Sequence, residues 1–512
     1  ARPEVVSIHL EREATLELDR SVATIRADRV WSAPNGVTGV GAIATDIEGG
    51  GITNLNPYLP TPILYQQAPG AFSSHATAIG GMIASDHPVD RGVAYGATLY
   101  SANLSTTEAN TISGMNWAVA NGSHVANVSL NLGSNDPPTL NLSDRAFDYI
   151  VRNTGRLMVK SAGNQGLGSA VVTSPGRGWN MLSVGNLNDA NTVLWGDDTM
   201  STSSSWIDPV TGMQKPEVAA PGTSINSTTL SSPWVGATGS GTSYASPHAL
   251  GTACLLYERD PQLAAWPEAI KAILMASAWH NVEGSPLFSD KDGAGGVHAW
   301  AADQVVQRGT NGYVRGILTP ASFNASGQFD LPFTLQRNNR ARVVLSWDSV
   351  AGGPPGYTTD VLAAAFDLLV LDPLGATVAS ASHPFSSFRI LEFVPASTGT
   401  YTVRLQQTLF TGASEPYAVA VSQFFDTHTN RVAGAVPLPL GVTTALTGQD
   451  PYHPGSGGFV VLGLSGVSDG NGYVVGDHTV PIVDDGTIVL PLQFPAVFAG
   501  FSGTLSPTGT QS

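Results

Sequence analysis

The stretch "SGTSYASPHALG" (residues 240–251) decides how this chain is interpreted, because it runs from a turn of small, hydroxyl-bearing residues straight into an apolar series. Apolar residues continue at helical spacing beyond it, which predicts a tight turn opening into a buried helix. Gly241 allows the turn, and Pro247 is best tolerated within the first helical turn. The hydroxyl of Ser243 would lie beside main-chain N–H groups at the positive end of the helix dipole, where an anion is stabilised. Ser243 is therefore a candidate nucleophile, although small hydroxyl residues also serve as ordinary helix caps.

The segment "GTSYASPH" (residues 241–248) resembles the nucleophile motif of the subtilisin-like serine proteases, Gly-Thr-Ser-x-Ala-x-Pro-His, at every fixed position. The resemblance covers roughly residues 21–308. It implies a serine endopeptidase that works through an acyl-enzyme, with Ser243 as the nucleophile and its main-chain N–H in the oxyanion hole. It also implies that an aspartate and then a histidine precede the serine along the chain.

The segment "SSHATAIGGMIAS" (residues 73–85) is similar to the histidine segment of that family, His-Gly-Thr-His-Val-Ala-Gly, and nominates His75. Ala76 and Ala78 depart from the family pattern, whereas Thr77 and the run of small residues are kept. The resemblance implies that His75 is the general base.

The segment "TGVGAIATDIEGG" (residues 38–50) has the form of a buried strand that ends in an acidic residue, and it nominates Asp46 as the third member of the triad. The family usually continues with Thr/Ser-Gly, whereas Ile47 and Glu48 follow here. Glu48 is an alternative, because residues two apart on a continuing strand share one face. The glycine run that begins at Gly49 argues against such a continuation, and we predict Asp46 in this role.

The segment "LMVKSAGNQG" (residues 157–166) resembles the oxyanion segment of the family, which implies that the Asn164 carboxamide donates to the oxyanion together with the Ser243 main-chain N–H. An asparagine between glycines is also a common turn former. The segment "VSLNLGS" (residues 128–134) is similar to the one that pairs with an extended substrate. Residues implied to bind substrate are Leu132, Gly133, Ser134, Ala162 and Gly163.

Three regions of the chain differ in pattern. Residues 21–310 alternate short apolar runs with helix-like runs, which predicts an α/β protease domain with a doubly wound parallel sheet. Residues 313–426 lose the helical period and predict a β-sandwich or jelly-roll domain. Residues 427–512 predict a small β-rich unit, and residues 1–20 are interpreted as an N-terminal extension or a pro-segment remnant.

The composition limits the partners and the location of the protein. A net charge of −16 argues against nucleic acid and anionic membranes as partners, and no apolar run is long enough to predict a membrane span. The resemblance to the subtilisin-like proteases, together with the acidic composition, implies a secreted enzyme that acts on polypeptides, and we expect it to be a monomer. The single cysteine, Cys254, lies among apolar residues and is expected to be a buried, inert thiol.

No cofactor is required by this chemistry. The segment "SDKDGAGG", with Asp290 and Asp292, lacks the full ligand spacing of a calcium loop and is interpreted as a solvated turn. Because subtilisin-like proteases often bind structural calcium, such a site is left open without assigned ligands.

Two alternatives remain at this stage. The sedolisin group shares the fold and a serine motif but uses a glutamate where this chain has His75. A catalytically inactive relative, acting as a surface binding or structural protein, would account for the altered surroundings of Asp46 and His75.

Overall fold

The computed structural model describes residues 20–33, 35–133, 139–193, 195–207, 213–278, 282–283 and 287–424, and beyond these the backbone of six short strands. The predicted N-terminal extension, residues 1–20, lies outside the described residues except for its last member. The strands beyond Phe424 are β21 (Val432–Ala433), β22 (Thr447–Gly448), β23 (Phe459–Leu462), β24 (Gly472–Val475), β25 (His478–Pro481) and β26 (Ile488–Pro491).

The first part of the chain alternates strands and helices, as the alternation of apolar and helix-like runs predicts. Its helices are α1 (Ser21–Thr24), α2 (Ala27–Ser32), α3 (Ser74–Ala84), α4 (Glu108–Ala120), α5 (Leu142–Thr154), α6 (Thr242–Arg259), α7 (Pro267–Ser277) and α8 (Ala299–Gln307). Its strands are β1 (Ile43–Ile47), β2 (Leu64–Tyr65), β3 (Thr98–Ala102), β4 (Val125–Val128), β5 (Leu157–Ser161), β6 (Leu182–Asn188), β7 (Thr199–Met200), β8 (Val218–Pro221), β9 (Ile225–Thr228) and β10 (Val235–Gly239).

The central sheet has the order β2-β3-β1-β4-β5-β6-β7, with β8 also paired to β6, and every pairing except β6 with β7 is parallel. Helices α3, α6, α7 and α8 contribute to the core on one face of the sheet, and α4 and α5 to the core on the other. Since both faces are covered, the strands are apolar throughout, and β4 and β5 are buried over their whole length. The predicted α/β parallel-sheet class is confirmed.

The second part of the chain is a β-sandwich of two antiparallel sheets with the orders β11-β20-β13-β18 and β12-β19-β16-β17. Between them lies an apolar core that includes Phe333, Trp347 and Phe366. The predicted jelly-roll connectivity stays a prediction. The strands of this part are β11 (Tyr313–Leu318), β12 (Gln328–Leu335), β13 (Arg340–Trp347), β14 (Val350–Ala351), β15 (Asp360–Val361), β16 (Ala364–Leu371), β17 (Thr377–Ala381), β18 (Phe388–Phe393), β19 (Gly399–Phe410) and β20 (Glu415–Phe424).

The sandwich packs directly on the α/β part through α7, which lies against β13 and β20. Val344, Phe388 and Ala420 on the outer face of the β13-containing sheet belong to the same apolar core as α7. The buried guanidinium of Arg342 donates to the carbonyl oxygen of Ala278, beyond the end of α7, at 2.6 Å and pairs with Glu392. Helix α8 ends at Gln307 and β11 begins at Tyr313, beside the predicted boundary.

No helix among the described residues is long and apolar enough to cross a membrane. Cys254 is completely buried in α6, and burial raises the pKa of its thiol to about 12, as expected of an inert side chain. In the calcium-like segment, the carboxylate of Asp292 accepts hydrogen bonds from the main-chain N–H of Val282, at 2.6 Å, and from the Ser289 hydroxyl. This carboxylate therefore holds a turn together.

Carboxyl groups meet where the α/β part contacts the sandwich. Asp148 of α5 lies against Asp360 of β15 and also accepts main-chain hydrogen bonds from Trp179 and Asn180. Burial, followed by the charge of Asp148, raises the pKa of Asp360 to about 10. Two adjacent carboxylates repel, so the interface retains a proton on this pair.

This pair makes a pH-dependent contribution to stability. A carboxyl whose pKa is raised by folding binds its proton more tightly in the folded state than in the unfolded state. Its contribution to the free energy of unfolding is therefore complete at pH values below the unfolded-state pKa and is lost as the pH rises through the folded-state pKa. The free energy of unfolding should therefore fall as the pH rises from 3.8, the ordinary value for Asp360, towards about 10. Asp360→Asn, a neutral donor of similar shape, should raise the denaturant midpoint at about pH 9 and change it little at about pH 4.

The comparison is best made on a Ser243→Ala background, which prevents self-digestion. Asp330→Asn is the matched control, because Asp330 forms an exposed ion pair with Arg404 and such pairs contribute little. A midpoint for Asp360→Asn below that of the parent at about pH 9 would contradict this account.

Candidate active site

Ser243 is the second residue of α6 and lies at the carboxyl end of the parallel strands. The chain enters the helix through Gly241, whose φ of +152° is strained for a side-chain-bearing residue and whose added Cβ would come within 3.2 Å of Asn164 Nδ2. The hydroxyl of Ser243 donates to the carbonyl oxygen of Ser129, just past β4, at 3.4 Å. Among the described residues, the Ser243 hydroxyl forms this one hydrogen bond and forms none with His75. A turn about its side-chain torsion would redirect the hydroxyl.

Pro247 does not lie in the first helical turn, so that expectation is wrong. The helix begins at Thr242, which places Pro247 in the second turn, where its missing N–H leaves the carbonyl of Ser243 without its helical partner. The hydroxyl of Ser129 donates to this carbonyl at 3.2 Å. The proline therefore frees a group that attaches the start of α6 to the end of β4.

His75 is the second residue of α3, whose N-cap Ser73 accepts a hydrogen bond from the Ala76 main-chain N–H. The imidazole is partly exposed and meets the ring of Tyr244 edge to face, with centroids 5.6 Å apart. Because Tyr244 follows Ser243, this contact places the imidazole beside the start of α6. His75 Nδ1 lies 2.7 Å from Glu48 Oε1.

The carboxylate that contacts His75 is thus Glu48 and not Asp46, which corrects the prediction from the sequence. Strand β1 ends at Ile47, but the main-chain N–H of Glu48 still donates to the carbonyl of Ala102 at 3.0 Å. The backbone therefore remains extended for one more residue before the glycine run, and Glu48 projects on the same face as Asp46. The longer glutamate side chain reaches Nδ1 of His75.

Asp46 is buried one step further from His75. Its Oδ1 accepts a hydrogen bond from Asn127 Nδ2 at 3.0 Å, and Asn127 in turn accepts from the Ser246 hydroxyl at 2.8 Å. Asn127 also donates to Ser129 Oγ at 3.0 Å. These side chains form a buried polar network from β1 through β4 to α6. Sequence reasoning missed Asn127, Ser129 and Ser246, although a polar residue inside the apolar run "HVANVSL" was a usable signal.

Asn164 follows β5 and contacts the entrance of α6. Its Oδ1 accepts from both the main-chain N–H and the hydroxyl of Thr242, at 2.9 and 3.0 Å. The amide is thereby oriented, and Nδ2 is left as a donor with no partner among the described residues. The side chain of Asn164 is exposed, so a substrate can reach Nδ2.

The residues predicted to bind substrate divide into two groups. The main-chain groups of Ala162 and Gly163 are already used, since Ala162 bonds to Val184 and Thr173 and Gly163 bonds to Thr242 and Ser205. Both residues are also buried, so neither presents an exposed surface to a substrate.

The other group lies after β4. Leu132 N–H donates to the carbonyl of Ser174, and the carbonyl of Gly133 accepts from Ser174 N–H. Ser134 lies outside the described residues. The residue of this segment that contacts Ser243 is Ser129, three residues before Leu132. The main chain of Leu130, which follows Ser129, forms no hydrogen bond within the described residues.

The histidine of the serine motif, His248, has a structural role. It is buried and lies between the carbonyl oxygen of Tyr244, to which Nδ1 donates at 3.0 Å, and the hydroxyl of Ser21, which donates to Nε2 at 2.8 Å. Burial lowers its pKa to about 4, so the ring stays neutral. It joins the first described helix, α1, to α6.

The pKa of His75 reflects opposing effects. Burial lowers it, whereas the hydrogen bond to Glu48 and the charge of Glu48 raise it, and the net shift is upward from 6.5. A neutral imidazole whose Nδ1–H donates to Glu48 keeps a lone pair on Nε2 for accepting a proton. A carboxylate-paired histidine beside a serine at the mouth of a buried helix is an arrangement that serine hydrolases use.

Comparison with known proteins gives the family. The model described as "Subtilase family" matches residues 61–303. The serine protease AprX of Bacillus subtilis (strain 168) is 28% identical over 337 residues, which cover 57% of this chain and 73% of AprX. The minor extracellular protease Epr of the same organism is 30% identical over 197 residues, covering 37% of this chain and 27% of Epr. Subtilisin Savinase of Lederbergia lenta is 31% identical over 196 residues, covering 37% of this chain and 65% of Savinase.

Residues 61–303 therefore match the subtilase family, and these relatives indicate a subtilisin-like serine endopeptidase. The matched range contains His75, Asn164 and Ser243. It begins after Asp46 and Glu48, the part of the site where the sequence departs from the family pattern.

Glu48→Gln should lower the pKa of His75, because the substitution removes the charge that raises it while the amide oxygen can still accept from Nδ1–H. The measurement is an NMR titration of the His75 imidazole in wild-type and variant chains, both carrying Ser243→Ala. Glu283→Gln removes a charge from an ion pair with Lys291 instead and is the control. An unchanged or higher His75 pKa in Glu48→Gln would show that Glu48 does not govern this histidine.

Proposed function

We propose that the chain hydrolyses peptide bonds in extended polypeptides through a Ser243–His75–Glu48 triad and an acyl-enzyme. The observation that carries the proposal is the 2.7 Å contact between His75 Nδ1 and Glu48 Oε1, formed beside the start of the helix that carries Ser243. The family of residues 61–303 supports the reaction class. Glu48 takes the part that the family usually assigns to an aspartate.

The residues would act in the following order. Ser243 turns from the Ser129 carbonyl towards Nε2 of His75, which accepts its proton as the oxygen attacks the scissile carbonyl. Glu48 holds the imidazole in the required tautomer and stabilises the imidazolium that forms. His75 then returns the proton to the leaving amine, and water releases the acyl group by the same path.

The oxyanion would be received by two donors. Asn164 Nδ2 has no other partner among the described residues, and its orientation is maintained by Thr242. The main-chain N–H of Ser243 lies in the first turn of α6, where it has no helical acceptor and the helix dipole favours negative charge. Asn164→Leu should reduce kcat about a hundred- to a thousandfold with little change in KM, as expected when one oxyanion-hole donor is removed.

The substrate would bind as an extended strand beside the segment after β4. Leu130 and Asn131 offer main-chain groups for such pairing, and Leu132 and Gly133 follow them along the chain. Ala162 and Gly163, which are buried, would support the pocket by holding the exposed Asn164 that follows them.

Three further points belong to the proposal. We propose that the enzyme acts outside the cell as a monomer, and the relative Epr is named an extracellular protease. Structural calcium remains a proposal without assigned ligands, because no cluster of three or more suitable side chains occurs in the described part of the chain. The alternative of a catalytically inactive relative rested on the altered surroundings of Asp46 and His75. It loses this support, because Glu48 supplies a carboxylate partner for His75.

Labelling with a fluorophosphonate and hydrolysis of a peptide substrate test the reaction. The wild-type chain should label at Ser243 and cleave the peptide, whereas Ser243→Ala and His75→Ala should each lose about a millionfold in kcat, the loss that such changes cause in subtilisin. Ser240→Ala is the matched control, because Ser240 lies in the same turn and its hydroxyl accepts from the Ser224 main-chain N–H. A wild-type chain that neither labels nor cleaves would overturn the proposed function.

A further inference from the structure

Asp46 has no part in the reaction described above, yet it is a buried acid next to the triad. It is 1% exposed and Glu48 7% exposed, and the two side chains lie within hydrogen-bonding reach of each other. Each uses one oxygen elsewhere, since Asp46 Oδ1 accepts from Asn127 and Glu48 Oε1 contacts His75. The remaining oxygens, Asp46 Oδ2 and Glu48 Oε2, are both buried and have no hydrogen-bond partner among the described residues.

Two adjacent buried acceptors without a donor are costly unless a proton lies between them. The titratable groups that face the pair are His75 on α3 and Tyr244 on α6. The neighbouring strands present the neutral side chains of Ser101 on β3 and Asn127 on β4, both paired in register with Asp46. His75 balances one carboxylate when it is protonated and none when it is neutral, so in either state at most one acid of the pair is compensated and the other is favoured as the neutral form.

We propose that Asp46 keeps its proton and donates it from Oδ2 to Oε2 of Glu48, so that Asp46 is a positioning residue for the Glu48–His75 pair. The inference deepens the proposed function and rests on it. The proton is placed on Asp46 because Glu48 is the acid that accepts the hydrogen bond from His75 Nδ1. Burial, and then the charge of Glu48, raise the pKa of Asp46 well above its ordinary range.

The network beyond Asp46 explains how this proton could orient the site. Asn127 holds Asp46 Oδ1 and also bonds to Ser246 and Ser129, which are attached to α6. A carboxyl fixed at Oδ1 presents Oδ2 in one direction. Glu48, with its flexible side chain, is then held at one oxygen by Asp46 and at the other by His75.

The experiment compares two neutral substitutions. Asp46→Asn can still accept from Asn127 and donate to Glu48, whereas Asp46→Ala can do neither. We expect Asp46→Asn to retain a kcat about tenfold above that of Asp46→Ala, because one buried hydrogen bond to a charged group is lost in the latter, with similar KM values for both. The plot of kcat/KM against pH falls at low pH as His75 becomes protonated, and the midpoint of this acid limb should be the same in Asp46→Asn and in the wild type.

An ionised Asp46 predicts a different result. Its removal would take a negative charge away from His75, and the acid limb of Asp46→Asn would move to lower pH. That shift, or equal kcat values for Asp46→Asn and Asp46→Ala, would overturn the proposal. If Asp46→Asn does not fold, Asp46→Ser, a smaller neutral donor, takes its place in the same comparison.

An infrared difference spectrum separates this inference from the proposed function. Subtracting Asp46→Asn from the wild type at neutral pH should reveal the C=O band of a protonated carboxyl, and a carboxylate band in its place would overturn the assignment. This measurement requires no activity. A chain that shows the carboxyl band but fails to react with a fluorophosphonate would contradict the proposed reaction and leave the proton on Asp46 established.

Discussion

Pro247 removes from α6 the hydrogen bond that would have used the carbonyl of Ser243, and the hydroxyl of Ser129 takes that acceptor instead. Helix α6 is buried for most of its length and contacts β4, β5, β6 and β8, so its first turn sets the position of the nucleophile relative to the sheet. The same Ser129 hydroxyl meets Asn127. The contact therefore joins the serine to β4, whose Asn127 in turn donates to Asp46 of β1.

The acidic residues of the site show how burial changes the role of a side chain. Asp46 and Glu48 leave the same strand on the same face, and their different lengths give them different neighbours. Glu48 reaches His75 from a point just beyond the strand, whereas Asp46 stays within the sheet and meets Asn127. Carboxyl pairs recur at the contact with the sandwich, where Asp148 lies against Asp360. In both places burial favours the retention of a proton, which is consistent with a chain that has few basic groups to offer.

The sandwich is part of the core of the molecule. Apolar side chains of β13 and β20 belong to the core that contains α7. Arg342 donates hydrogen bonds to carbonyl oxygens at the end of that helix. Strand β13 is consequently buried on both faces, which accounts for its mostly apolar sequence "ARVVLSW". This arrangement makes the sandwich a support for the face of the α/β part that carries α6 and α7.

The local sequence was sufficient for the fold class and for most of the site. Alternating apolar and helical runs predicted the parallel sheet, and short motifs around Ser243, His75 and Asn164 predicted side chains that the fold brings to one edge. Those motifs are readable because each depends on a few adjacent residues at the start of a helix or the end of a strand. The position of Pro247 was misjudged by one turn, because the first helical residue is set by packing at Gly241.

The choice between Asp46 and Glu48 required the tertiary structure. Both residues fit the end of an apolar strand, and the glycine run after Glu48 favoured the wrong one. Whether the strand continues to Glu48 depends on a hydrogen bond to Ala102, a residue over fifty positions away, and the identity of the partner of His75 depends on how α3 packs beside β1. Contacts between segments distant in the sequence are set by packing, and no local pattern encodes them.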